Sequence, residues 1–167
     1  KLLDNLNEID GIEWIRVLYL YPDNFTDKLI NSIRDNEKVV KYVDIPLQHI
    51  SNNVLKRMNR RTSKEGIAEL INKLRREIPE IIIRTTFIVG FPGERQDEFQ
   101  ELVDFIREVK FDRLGVFAYS KEEDTPAYDL DGHMDEEEKE SRRNIVMEYQ
   151  KNISEDIMMS KVNNIYD

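Results

Sequence analysis

The chain contains no cysteine, which excludes a disulfide framework and any metal or iron–sulfur cluster held by thiolates of these residues. Histidine is nearly as scarce. His49 and His133 are the only ones, they stand far apart, and neither has a metal-ligating neighbour at a productive spacing, so no metal site is expected from this chain alone. Positive charge is in deficit: 25 Lys and Arg face 34 Asp and Glu, a formal net charge of -9. A surface of that sign repels a phosphate backbone, so direct binding of nucleic acid is not expected. No apolar run approaches the roughly 20 residues that a membrane-spanning helix needs, and no basic-then-apolar segment opens the chain. A cytoplasmic protein without membrane attachment is therefore expected. No Ser/His/Asp arrangement, internal repeat or low-complexity tract is found, and no residue is assigned a catalytic role.

What remains reads as a folded α/β domain. The 167 residues, 40% hydrophobic and 35% charged, suffice for one domain with a real core. Runs rich in β-branched and aromatic residues occur at 15–20, 39–45, 81–89 and 114–119, separated by amphipathic helical patterns, which predicts parallel βα units with right-handed crossovers. Phe25, Leu29, Ile30 and Ile33 form one helical stripe. Thr62 and Glu65 are placed as a capping box for a second helix carrying Ile67, Leu70, Ile71, Leu74 and Ile78, ended by Pro79. Phe99, Leu102, Val103, Ile106 and Val109 form a third. Residues 121–132 read as an acidic loop, after which Asp135 caps a charged helix reaching about Lys161, with Ile145, Tyr149, Ile153 and Ile157 as its apolar stripe. The chain opens on Lys1 rather than Met, with Leu2, Leu3, Leu6 and Ile9 at helical spacing, and is expected to be an excised piece: a barrel portion over 1–132, then a helix over 133–167 leading toward a further domain.

Functional groups of parallel βα folds collect where strands end. Gln48 falls at such an end and Arg60 on the element that follows. A planar guanidinium suits a carboxylate through two parallel hydrogen bonds, and an amide can both donate to and accept from a sugar diol. The competing reading of Arg60 places it in a solvated basic cluster with Lys56, Arg57, Arg61 and Lys64. The third apolar run stops on Gly90-Phe91-Pro92-Gly93-Glu94. Its glycines either admit a ligand close to the backbone or simply supply the positive φ of a strand-to-helix turn. It is no phosphate-binding P-loop, because Glu94 and Arg95 stand where Lys and Ser/Thr are required. Trp14 and Tyr19 are expected to pack beside the strands.

Several blocks in order, Asp44-Ile45-Pro46-Leu47-Gln48-His49, Arg57-Met58-Asn59-Arg60-Arg61-Thr62, Arg84 through Glu94, Phe111 through Phe117 with Tyr119-Ser120, and Thr125-Pro126-Ala127, closely resemble the radical S-adenosylmethionine methylthiotransferases. The similarity is strongest to the RimO-type branch, which modifies an aspartate of a small-subunit ribosomal protein. The transfer-RNA branch usually reads Leu-Pro-x-Gln-Ser-Gly across 45–50 and has Asp at position 86, where this chain has Ile45-Pro46-Leu47-Gln48-His49-Ile50 and Thr86. The resemblance implies an α/β fold forming the later part, about four βα units, of a partial TIM-like (β/α)6 barrel with a long C-terminal connecting helix. It implies S-adenosyl-L-methionine as cofactor, with Gln48 near its ribose, Arg60 at its methionine carboxylate, Thr86 and Gly90 at the third strand end, and the backbone of Phe117 and Ala118 flanking adenine. It also implies 4Fe-4S clusters bound by cysteines outside this chain, whose electron cleaves the cofactor to start hydrogen abstraction from an unactivated carbon. The expected partner is a ribosomal protein substrate of the small subunit. Two other readings stay open at this point, a fragment of the transfer-RNA branch and a cluster-free binding or scaffold module; in all three the isolated chain is expected to be inactive.

Overall fold

The computed structural model describes residues 1–164. In chain order these form α1 (Leu2–Asn7), a 3-10 turn (Pro22–Asn24), α2 (Asp27–Asp35), β1 (Tyr42–Gln48), α3 (Asn52–Arg57), α4 (Lys64–Glu77), β2 (Ile82–Val89), α5 (Gln96–Val109), β3 (Arg113–Ala118) and α6 (Glu136–Lys161). The strands pair in parallel in the order β1-β2-β3. Parallel neighbours cannot be joined by a tight hairpin, and helices provide each crossover. One face of the sheet is buried under those helices: Val43, Ile45, Leu47, Ile83, Phe87, Val89 and Val116 join Ile33, Leu55, Leu74, Leu102, Ile106 and Val146 in a continuous core. The other face carries Tyr42, Asp44, Pro46, Arg84, Thr86, Ile88, Gly115 and Phe117 and has no helical layer over it. No helix among the described residues is long and apolar enough to cross a membrane.

The first expected strand does not form. Residues 15–20 run extended beside β1 but share a single parallel bridge, Ile15 with Val39. They are tied at their two ends, by Ile15 N–H to Lys38 O at 2.7 Å and Leu20 N–H to Asp44 O at 2.8 Å. A continuous ladder is broken by Tyr19, which adopts φ 56, outside the β region. Trp14 and Tyr19 do not pack: they are 83% and 79% exposed. The second strand starts later than its apolar run, because Val39 is spent on the bridge to Ile15. The side chain of Lys41 there folds back to donate to the carbonyls of Ile33, Asn36 and Val39 at the end of α2. The strand also runs past Ile45 to Gln48.

The cap of α4 is Ser63, whose Oγ accepts from Gly66 N–H at 3.2 Å, so the Thr62–Glu65 capping box is displaced by one residue. Asp135 caps α6 as expected, accepting from Glu138 N–H at 2.8 Å. The buried face of α6 keeps only the second half of the isoleucine and tyrosine stripe, Ile153 in the core and Ile157 packed against it. Lys139, Arg142, Val146, Gln150 and Ile153 are buried, while Ile145 and Tyr149 are exposed. Polar residues can occupy that seam because each finds a partner: Lys139 Nζ donates to Tyr119 O, Arg142 to Glu94 Oε1 at 2.6 Å, and Gln150 Nε2 to Phe111 O at 2.9 Å. These bonds clamp α6 across β3 and the turn after β2.

Glu94 is fully buried and Arg142 nearly so, so removing one partner strands a charge in the interior. Arg142→Ala is expected to lower stability by about 3–5 kcal/mol, read from denaturant midpoints of the protein containing this chain. A loss near zero would mean that the clamp is not formed in solution.

Candidate functional site

The polar groups at the end of β1 are arranged by Pro46. A proline has no N–H to give to a sheet ladder, and inside a strand it sits at irregularities. Here the register shifts at that point: Ile45 faces Thr85, but Gln48 faces Phe87, so three steps on β1 oppose two on β2. Thr85 repairs the gap, its Oγ1 donating to Ile45 O at 2.9 Å and accepting from Leu47 N–H at 3.5 Å. Such an extra residue bends the strand and re-aims the side chains that follow. Gln48, the last residue of β1, adopts φ 71, a left-handed conformation costing a non-glycine residue on the order of 1–3 kcal/mol.

Arg60 is presented by a helix end. Asn59 takes φ 56 after α3, and Arg60 N–H returns to Leu55 O at 2.8 Å, the six-to-one bond with which a left-handed residue closes a helix. The guanidinium then lies over the Tyr21 ring, 5.2 Å from its centre, and among the described residues it forms no ion pair. Of its basic neighbours, Arg57 donates to Pro92 O at 3.1 Å and Lys64 pairs with Glu101 at 2.7 Å, while Lys56 and Arg61, like Arg60, form no ion pair among the described residues; what distinguishes Arg60 from these two is that it lines the cavity.

Gln48, Arg60, Thr86 and Phe117 line one cavity of about 430 Å³, together with Tyr19, Leu20, Tyr21, Pro46 and Arg84. A second hollow of about 480 Å³ shares Gln48, Thr86 and Phe117 and continues past Ala118 to Tyr119 and Ser120. Phe117 is 61% exposed, an apolar ring left bare on the open face of the sheet. Tyr119 is buried, and burial, followed by the nearby Glu122 carboxylate, pushes its phenol above the ordinary range, so it stays neutral and can donate.

Gly90 lies elsewhere. Its φ is 71, and the space a Cβ would need is filled by the side chain of Lys139; it lines neither hollow. Glu94 folds back to accept from Gly90 N–H at 2.9 Å and from Arg142, so the glycine turn is closed by its own carboxylate and by α6. His49 is buried behind the same turn. Its Nδ1 accepts from Ser51 N–H at 3.0 Å, which leaves the proton on Nε2, 3.4 Å from Glu94 Oε2. No group of His, Asp and Glu that could hold a metal occurs among the described residues.

Tyr19, Tyr21 and Arg84 escaped the sequence reading as lining residues. Only Arg84 left a signal, a charge within an apolar run, two residues before Thr86 and therefore on the same strand face. The tyrosines line the cavity because residues 15–20 lie beside β1 without joining it, which their apolar pattern does not reveal.

A fold of parallel strands with polar ends facing one hollow has known counterparts. Residues 1–106 match the family model of the radical SAM superfamily, and the chain belongs to that family. It is 57% identical over 166 residues to the ribosomal protein uS12 methylthiotransferase RimO of Clostridium botulinum (strain Eklund 17B / Type B) and 53% identical over 167 residues to that of Clostridioides difficile (strain 630). These alignments cover 99% and 100% of this chain but 37% and 38% of those proteins, so the chain spans little more than a third of the relatives it matches. Among solved structures, the coproporphyrinogen III oxidase HemN of Escherichia coli superposes with a TM-score of 0.71 at 17% identity, over 91% of this chain and 36% of that one. An Elp3 of Methanocaldococcus infernus superposes with a TM-score of 0.59 at 18% identity, over 84% of this chain and 33% of its own. At such identities the likeness establishes the fold, part of a TIM-like radical SAM barrel.

Relief of backbone strain separates two roles of Gln48. Gln48→Gly is expected to be more stable than Gln48→Ala by about 1 kcal/mol, since glycine adopts positive φ freely. Chemical denaturation of the two variants measures it, and equal midpoints would remove the strained conformation from the account.

Proposed function

We propose that this chain is the cofactor-facing part of a radical SAM methylthiotransferase that modifies the β-carbon of an aspartate in ribosomal protein uS12, acting in the cytoplasm. Residues 1–132 would supply the barrel portion, and the segment from 133, through α6 (Glu136–Lys161), would lead onward to the rest of the protein; its last residues, 165–167, lie outside the described residues. The single observation carrying the cofactor assignment is Arg60, a guanidinium without an acidic partner in a chain of net charge -9, at a cavity that also holds an amide and a bare aromatic ring. Those groups fit the three recognisable parts of S-adenosyl-L-methionine. Arg60 would hold the methionine carboxylate through charge-assisted hydrogen bonds. Gln48 and Thr86 would bond the ribose, Phe117 and Ala118 would flank the adenine, and Gly90 would shape the turn behind them. The uS12 assignment is supported by identities above 50% with RimO proteins along the whole chain.

An iron–sulfur cluster does not fit these residues, because the chain offers no thiolate. Its cysteines are assigned to polypeptide outside this chain. When bound, S-adenosyl-L-methionine supplies the radical chemistry of the family. This chain's residues would orient the cofactor, Arg60 at the methionine end, Gln48 at the ribose in the middle and Phe117 at the adenine end.

In the full-length, cluster-loaded protein, Arg60→Ala is expected to weaken S-adenosyl-L-methionine binding by about 1.5–3 kcal/mol, measured by calorimetry. Unchanged affinity returns Arg60 to the solvated surface. Incubation of the wild-type protein with reductant, cofactor and either uS12 or transfer RNA tests the substrate. A methylthio group on a uS12 aspartate, found by mass spectrometry, is expected, whereas modification of the RNA alone would overturn the reading.

A further inference from the structure

We propose that Arg84, with Arg113 beside it, seats the side-chain carboxylate of the substrate aspartate on the floor of the cavity. This inference rests on the methylthiotransferase reading above. Asp44, Arg84 and Arg113 are register partners on β1, β2 and β3, so they form one row across the open face of the sheet. The row lies below the cofactor-facing groups. Arg84 precedes Thr86 by two residues, which sets it about 6.6 Å deeper along the strand, yet it still lines the same cavity as Gln48 and Arg60.

The row is built with a donor surplus. Arg84 donates from Nη1 to Asp44 Oδ2 at 2.8 Å, its only hydrogen bond among the described residues, and its side chain is 40% exposed against 2% for Asp44. Arg–carboxylate pairs are frequently bidentate. Arg84 is pinned by one arm and keeps its remaining N–H groups free. Arg113 is exposed and bonds only its neighbour's carbonyl, Asp112 O, at 3.1 Å. Two guanidiniums and one carboxylate leave the row with one excess positive charge, in a protein whose formal charge is -9. Arg60 lies nearer the rim, where the methionine carboxylate has been placed. The second cationic locus therefore calls for a second anion, and an aspartate side chain carries one carboxylate. Buried Asp44 is a positioning residue: it holds the Arg84 fork flat against the strand.

An aspartate and an asparagine differ at this locus only in the charge that Arg84 would read. The test uses full-length, cluster-loaded protein with S-adenosyl-L-methionine present and a labelled uS12 peptide carrying Asp or Asn at the modified position. Fluorescence anisotropy is expected to show the Asp peptide bound about tenfold more tightly than the Asn peptide, the scale of one charge-assisted hydrogen bond. Arg84→Gln is expected to abolish that preference while weakening cofactor binding less than Arg60→Ala does, since Arg84 sits about 6.6 Å deeper along the strand than Thr86. The double variant D44N/R84Q removes the buried charge together with its partner and gives the same reading if R84Q folds poorly. R84Q or D44N/R84Q retaining the Asp preference, or losing the cofactor as Arg60→Ala does, overturns this assignment alone. Wild-type protein that binds neither peptide overturns the substrate reading and this assignment with it.

Discussion

Everything functional in this chain depends on a parallel sheet that is covered by helices on one face only. Side chains alternate along a strand, so pairing β1, β2 and β3 in register sends Val43, Ile45, Ile83, Phe87 and Val116 into the core and sends Asp44, Arg84, Thr86 and Phe117 to the other side. In a small domain a polar or charged group on a bare sheet face would ordinarily be solvated. Here the strap at 15–20 and the end of α3 close over it, and the open face becomes a cavity. Its lining is mixed, with Gln48, Arg60, Arg84 and Thr86 set among Leu20, Pro46, Phe117 and two tyrosines.

Pro46 converts that scaffold into a site. The register shift that the missing N–H accompanies brings Gln48, and not Leu47, opposite Phe87. With the shift, and with Thr85 substituting a hydroxyl for the lost backbone pairing, the strand ends on a left-handed residue beside Arg60. A local covalent fact about proline is thus carried through a cross-strand hydroxyl to the placement of an amide several ångströms away.

The long helix α6 shows where periodicity misleads. Ile145, Tyr149, Ile153 and Ile157 recur every four residues and read as the buried stripe. Ile153 and Ile157 do meet the core, but toward the start of the helix the seam leaves the exposed Ile145 and Tyr149 and runs through Lys139, Arg142, Val146 and Gln150, because Glu94, Tyr119 O and Phe111 O lie on the surface that α6 meets. A buried polar residue is tolerated when its partner is already in place, and a one-dimensional pattern does not know which partners the sheet will provide. Gly90 follows the same logic. Its need for positive φ is legible from the Gly-x-Pro-Gly turn, but that its missing Cβ makes room for Lys139 rather than for a ligand depends on α6 arriving there.

Family resemblance gave Gln48 and Arg60 their roles as candidate ligands, whereas local pattern was enough for the α/β class, three of the four expected strands, the Asp135 cap and the lack of thiolates. The latter are properties of neighbours along the chain, set by propensity, spacing and composition. Only the tertiary structure decided that residues 15–20 are a strap and not a strand, which face of α6 is buried, that Gly90 faces the helix and not the cavity, and that Asp44, Arg84 and Arg113 stand in one row. Those outcomes depend on register and on hydrogen-bond partners tens of residues away, and no local pattern carries that information.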